Sequence, residues 1–176
     1  MAKSDSFFLR QTLNCENVAV PGQFKQIEVD LGAYVSALGK SVLRIHNIAV
    51  SFTDVSGRSP DIKTGGEKAV AAQFQLTTQT QSNLVISSNK SVIASGLVNA
   101  YRTNSGSAGV ADSTSESFDN LPQLWTNGYL VATESMYLGG AASAEWNEDV
   151  YVSVTCECTV ETMSQASAMA LSLSQQ

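Results

Sequence analysis

The chain has 176 residues, enough for one domain that buries roughly 70% of its unfolded-chain surface and needs no disulfide or metal to hold a core. Only 15% of its residues are charged, against about 25% in an average domain, and polarity is carried instead by Ser, Thr, Asn and Gln. The formal net charge of -6 repels phosphate, which argues against sequence-independent nucleic-acid binding, and no apolar run approaches the ~20 residues of a membrane span.

The chain begins MAKSDSFFLR. It has no basic arm there and no apolar core of a signal peptide, so the expectation is a soluble protein made in the cytoplasm. Ser6 to Leu13 reads as a first strand, with Phe7, Leu9 and Leu13 in phase. Ile27, Val29 and Leu31 alternate with Glu28 and Asp30 to give a second, and Leu31 to Leu38 has room for a helical turn or two. Val42 to Thr53 changes phase: Leu43 and Ile45 are apolar on odd positions, Ile48, Val50 and Phe52 on even ones. One extra residue does this, so the pattern predicts a β-bulge near His46–Asn47, with a strand buried on both faces as the rival reading.

Val70 to Thr78 alternates cleanly, with Val70, Ala72, Phe74 and Leu76 facing in and Gln73, Gln75 and Thr77 facing out. Leu84 to Ile86 reads as a short strand, Val92 to Tyr101 and Gly128 to Leu138 as longer ones. Thr53 to Lys68 and Thr103 to Asn120 read as long loops. Turns are marked by Pro21-Gly22, Ser56-Gly57, Gly65-Gly66, Ser105-Gly106, Asn127-Gly128 and Gly139-Gly140. The clearest strand is Val150 to Glu161: Val150, Val152, Val154, Cys156, Cys158 and Val160 share one face, and polar residues and Tyr151 fill the other. After Thr162, Met163, Ala166, Met169 and Ala170 fall at helical spacing, without a charge beyond Glu161. A helix this short is marginal alone and needs a surface to lie on.

The fold expected is therefore all-β: an antiparallel β-sandwich, a jelly roll of seven or eight strands, with a short C-terminal helix or arm. Residues 1–161 form the sandwich; 162–176 form a helical or extended tail used in subunit contacts.

Chemistry is sparse. His46 is the single histidine and reads as structural; any Ser-His-Asp or Cys-His arrangement would have to use it, and no Gly-x-Ser-x-Gly elbow supplies a nucleophile. Cys156 and Cys158 lie on one face of a strand, about 6.5–7 Å apart, too far for a disulfide, and read as core residues continuing the Val face. Cys15 stands alone. Glu145, Glu148 and Asp149, and Asp112, Glu116 and Asp119, are acidic groups without an EF-hand pattern and read as solvated loops. Trp125, Tyr129, Tyr137 and Trp146 are close in sequence and would stack on sugar rings if exposed, or anchor a core or subunit contact if buried. No catalytic, cofactor-binding or metal residue is assigned.

The strand pattern over about residues 6–161 resembles the compact single jelly-roll capsid proteins of small icosahedral viruses. The resemblance implies a virus capsid subunit that associates with copies of itself, and with other capsid proteins, into a shell in the virion. The basic arm found in many capsid proteins that package nucleic acid directly is missing, so direct nucleic-acid binding is not expected. Two other readings differ in class. A carbohydrate-binding β-sandwich would use the aromatics, and a glycan array discriminates it. A cupin-like enzyme needs several histidines where this chain has one.

Overall fold

The computed structural model describes residues 5–36, 40–103, 106–118 and 121–176. Its organising element is strand β9, Tyr151–Thr162, whose Val152, Val154, Cys156 and Cys158 point into the core. β9 pairs antiparallel on one side with β1, Phe7–Asn14, and on the other with β3, Ser41–Thr53. The short β7, Tyr129–Val131, completes a four-stranded sheet in the order β1-β9-β3-β7. The second sheet runs β2-β8-β4-β5-β6, built from Lys25–Asp30, Ser135–Ala142, Lys68–Thr77, Val92–Arg102 and Ser113–Ser117.

With the edge strand β6 set aside, the pairing is nested: β1 with β9, β2 with β8, β3 with β7, β4 with β5. A chain folded back on itself and then wound into two sheets gives this order, which is the jelly roll. Phe74, Leu76, Leu43, Ile45, Met136 and Leu138 fill the space between the sheets, each almost fully buried.

The phase change in β3 is a bulge. Its register against β9 shifts between Ile45 and Asn47, leaving His46 without an opposite residue. Leu43, Ile45 and Ile48 are all buried in consequence. Without the extra residue, the residues after it would face solvent.

Several expectations change. There are nine strands among the described residues, not seven or eight. Gly128 to Leu138 is not one strand: β7 and β8 belong to different sheets, joined by a turn over residues 132–134. Gly139-Gly140 is not a turn but the middle of β8. Small size is needed there, because the Phe24 ring lies over Gly139, and a Cβ at Gly140 would sit 3.2 Å from Cys15 Sγ. The stretch Thr103 to Asn120 contains β6, whose polar Ser-Thr-Ser-Glu-Ser carries no apolar alternation. Ser105, Asp119 and Leu38 lie outside the described residues. Leu84 to Ile86 forms no strand; it folds over β4, where the Val85 N–H donates to Gln75 Oε1 at 2.9 Å. Gln75 and Thr77, expected to face out, are both buried, and Thr77 Oγ1 donates to the Gln79 carbonyl at 2.7 Å.

The helix α1, Gln165–Ser174, starts at Ser164, whose Oγ accepts from the Ser167 N–H at 3.2 Å. It rests on the sandwich through Ala168, which packs with Val42 and Ala132, flanked by Leu130, Met163 and Leu171. Just past its end, Gln175 is buried and acts as a surrogate strand for β7. The Ala132 N–H donates to Gln175 Oε1 at 3.0 Å, and Gln175 Nε2 donates to the Leu130 carbonyl at 2.6 Å. The Gln175 carbonyl accepts from Thr78 Oγ1 at 2.7 Å, just after β4, so the same residue ties one sheet to the other. Replacing Gln175 by Leu keeps the volume and removes both side-chain bonds. The expected cost is about 1–3 kcal/mol, read as a lower urea midpoint with an unchanged m-value.

Candidate functional site

The bulge also shapes a polar depression of about 440 Å³ beside β3. β7 pairs only with Leu43, Arg44 and Ile45. Beyond it, a 3-10 turn at Pro122–Leu124 brings Gln123 to the exposed stretch of β3. Gln123 Oε1 accepts from the Ile48 N–H and Gln123 Nε2 donates to the Ile48 carbonyl, both at 3.0 Å. The turn then closes at Gly128, whose φ of +63° and contact with the Ile45 carbonyl leave no room for a side chain.

Arg44 forms the floor. Its Nε and Nη2 donate to the two carboxylate oxygens of Glu161, the second bond at 2.8 Å, and its Nη1 donates to the Asn127 carbonyl. The paired hydrogen bonds hold the Glu161 carboxyl below, and the Arg44 guanidinium above, their ordinary pKa values. His46 Nε2 lies 2.9 Å from Thr159 Oγ1, and Asn47 Nδ2 donates to Glu157. Trp125, 41% exposed, forms one wall and packs on Tyr129 with ring centroids 5.6 Å apart.

Each of these polar groups is bound to a neighbour in the fold. The hydroxyl within reach of His46 belongs to Thr159, and Glu161, which would have to orient the imidazole in a triad, is held by Arg44. The depression therefore offers a rim of fixed dipoles and one exposed indole. The sequence singled out His46 and Trp125 separately; the phase change at His46 was the available signal that they lie near one structural irregularity. Arg44, Gln123 and Glu161 were missed, because an Arg and a Glu 117 positions apart meet only through the β3–β9 register.

The other groups singled out from the sequence are separated. Cys156 and Cys158 are buried thiols of the core, and Cys15 is buried too. Glu145 pairs with Lys68. Glu148 Oε1 accepts from the Asp61 N–H at 2.8 Å, and Asp149 Oδ1 accepts from the Val18 N–H at 2.9 Å, so these acids fasten loops. Asp112 accepts from both the N–H and the hydroxyl of Thr103, which holds its carboxyl below the usual range. Among the described residues no three His, Cys, Asp or Glu side chains are placed to hold a metal ion. The four aromatics do not form one cluster. Trp146 is 4% exposed and donates through Nε1 to the Ala71 carbonyl at 3.1 Å, while Tyr137 lies on β8 in the other sheet.

No protein-family model matches the chain, and neither does any curated protein sequence. Among solved structures it is similar to VP1 of Trichodysplasia spinulosa-associated polyomavirus, with a TM-score of 0.47 and 9% identity over 91% of this chain and 99% of that one. It is similar to Merkel cell polyomavirus VP1 (TM-score 0.42, 9% identity, 92% and 98% covered) and chimpanzee polyomavirus VP1 (0.40, 7%, 89% and 95%). The resemblance is one of architecture, and the assignment as a jelly roll rests on the nested strand order.

Burial pushes all three thiols up to about 12. Two outcomes follow. The native protein at pH 8 should leave a thiol-specific chromogenic disulfide unreacted, and all three thiols should react on denaturation. A thiol that titrates near pH 8.5 in the unfolded chain and near 12 when folded favours folding while protonated. Stability should therefore fall as pH rises above about 8.5, and a triple Cys→Val variant should lose most of the fall between pH 7 and 9 by urea titration. The part above that is shared with Tyr129, whose hydroxyl burial also pushes up.

Proposed function

We propose that this chain is a structural assembly protein without enzymatic activity, a virus capsid subunit that self-associates into a shell and resides in the virion. The observation that supports the reading best is the outer face of the five-stranded sheet. Along β4, β5 and β6 it presents Ala69, Ala71, Gln73, Asn99, Tyr101 and Ser115, uncharged side chains with the Glu67 carboxylate at the margin, against Tyr101. A shallow groove of about 440 Å³ runs across it between Ala69, Ala71, Tyr101 and Ser113. Depletion of charge and enrichment in Tyr characterise the centre of protein–protein interfaces. Partners in this reading are copies of the chain and other capsid proteins. The acidic surface, of net charge -6, leaves the genome to be screened by other means. The tail, residues 162–176, contributes to subunit contacts through its outward side.

The half-exposed Trp125 beside fixed polar groups favours a second reading, a carbohydrate-binding sandwich. A glycan array with no hits removes it. A cupin-like metal site would have to be built around His46 alone, which supplies too few imidazoles.

Light scattering and electron microscopy of the purified 18.7 kDa chain test the proposal. Closed particles of many subunits are expected, and a stable monomer at micromolar concentration overturns it.

A further inference from the structure

The outward side of α1 has a pattern that its packing on the domain does not use. Ala168, Ser172 and Gln175 turn inward and are buried. Ala166, Met169, Ala170 and Leu173 point the opposite way, all exposed, with Met169 at 44% and Leu173 at 67%. At positions i, i+3, i+4 and i+7 they make one continuous apolar stripe. No residue of the helix carries a charge. A surface helix of a protein that remains monomeric places its charged residues on this side.

The order of small and large residues in the stripe is self-complementary. When two copies of the helix are laid antiparallel about a two-fold axis between Met169 and Ala170, Leu173 of each faces Ala166 of the other. Met169 of each then faces Ala170 of the other. Every large side chain meets a small one, the condition for interdigitated packing at close helix separation. The antiparallel arrangement also sets the positive N-terminal end of each helix, at Ser164, beside the negative C-terminal end of its partner. The absence of charge on the stripe leaves no like-charge opposition at the axis. A parallel pair about a two-fold would set Leu173 against Leu173 and Ala166 against Ala166, splaying the helices at one end.

Together these features identify the occupant of the stripe as a second copy of this chain: we infer that α1 pairs antiparallel with α1 of a neighbouring subunit across a two-fold axis. This deepens the assembly reading and rests on it. The ten-residue helix is about 15 Å long and its stripe some 10 Å across. That is far below the ~800 Å² per partner of a stable dimer, so the contact acts together with others in an assembly.

The four side chains are exposed, so substitutions there should leave the fold intact, checked by near-UV circular dichroism. Met169→Glu puts two carboxylates at the axis and should raise the protein concentration needed for assembly on the order of tenfold. The double variant Met169→Lys with Ala170→Glu places opposite charges in register across the same axis and should restore assembly. In Ala166→Cys with Leu173→Cys, mild oxidation should give a covalent dimer on a non-reducing gel, with the buried native thiols silent; Ser167→Cys, off the stripe, should not. Assembly of Met169→Glu at the wild-type concentration overturns the helix pairing and leaves the capsid reading standing. Impairment without rescue by the double variant overturns the antiparallel register. A wild-type chain that stays monomeric overturns both.

Discussion

The unpaired residue in β3 is the constraint on which the rest of the fold depends. β9 alternates without interruption for twelve residues and pairs with β3 along nearly its whole length. Its core face is continuous, so β3 must also keep one face inward from Leu43 through Phe52. The sequence of β3 does so only with one residue set aside, and that residue is His46. The rest of this corner follows. The edge strand β7 stops opposite Ile45, where the ladder loses its regularity, and the Gln123 amide takes over at Ile48. Arg44, opposite Thr159, reaches diagonally to Glu161 two residues further along β9, and they pair.

How much of this was legible depended on whether a residue's partner is local. β9, β4 and the bulge were readable because alternation is a property of neighbouring residues. The split of Gly128 to Leu138 between two sheets was not, because Leu130 and Leu138 give similar local patterns and only long-range pairing assigns each to a sheet. β6 was invisible because an exposed edge strand has no face that must be apolar. Gly139 and Gly140 misled for a related reason: the usual meaning of two glycines is a turn, and here they answer to Phe24 and Cys15, residues more than a hundred positions away. In the candidate site, His46 and Trp125 drew notice as rare residue types, whereas Arg44, Gln123 and Glu161 acquire meaning only once the strands are in register.

The polar chemistry of the chain is turned inward, toward its own backbone. Glu148, Asp149 and Asp112 fasten loops, Gln75 anchors Val85, and Trp146 donates to Ala71. Such groups stabilise one conformation by satisfying donors that would otherwise be buried unpaired. What faces outward on α1 and on the middle of the five-stranded sheet is by contrast uncharged and shaped by small residues.

The two glutamines that close strand edges have a consequence for which sequence changes the fold tolerates. A primary amide offers one acceptor and one donor on the same planar group, which is what an exposed strand edge lacks. Glu in place of Gln123 or Gln175 loses the donor, Lys loses the acceptor, and Asn is one methylene short of the reach. Core positions such as Val154 or Cys156 accept other apolar residues of similar volume. Two polar side chains at the margins of the domain are therefore narrowly specified, because a single functional group must match a single peptide edge.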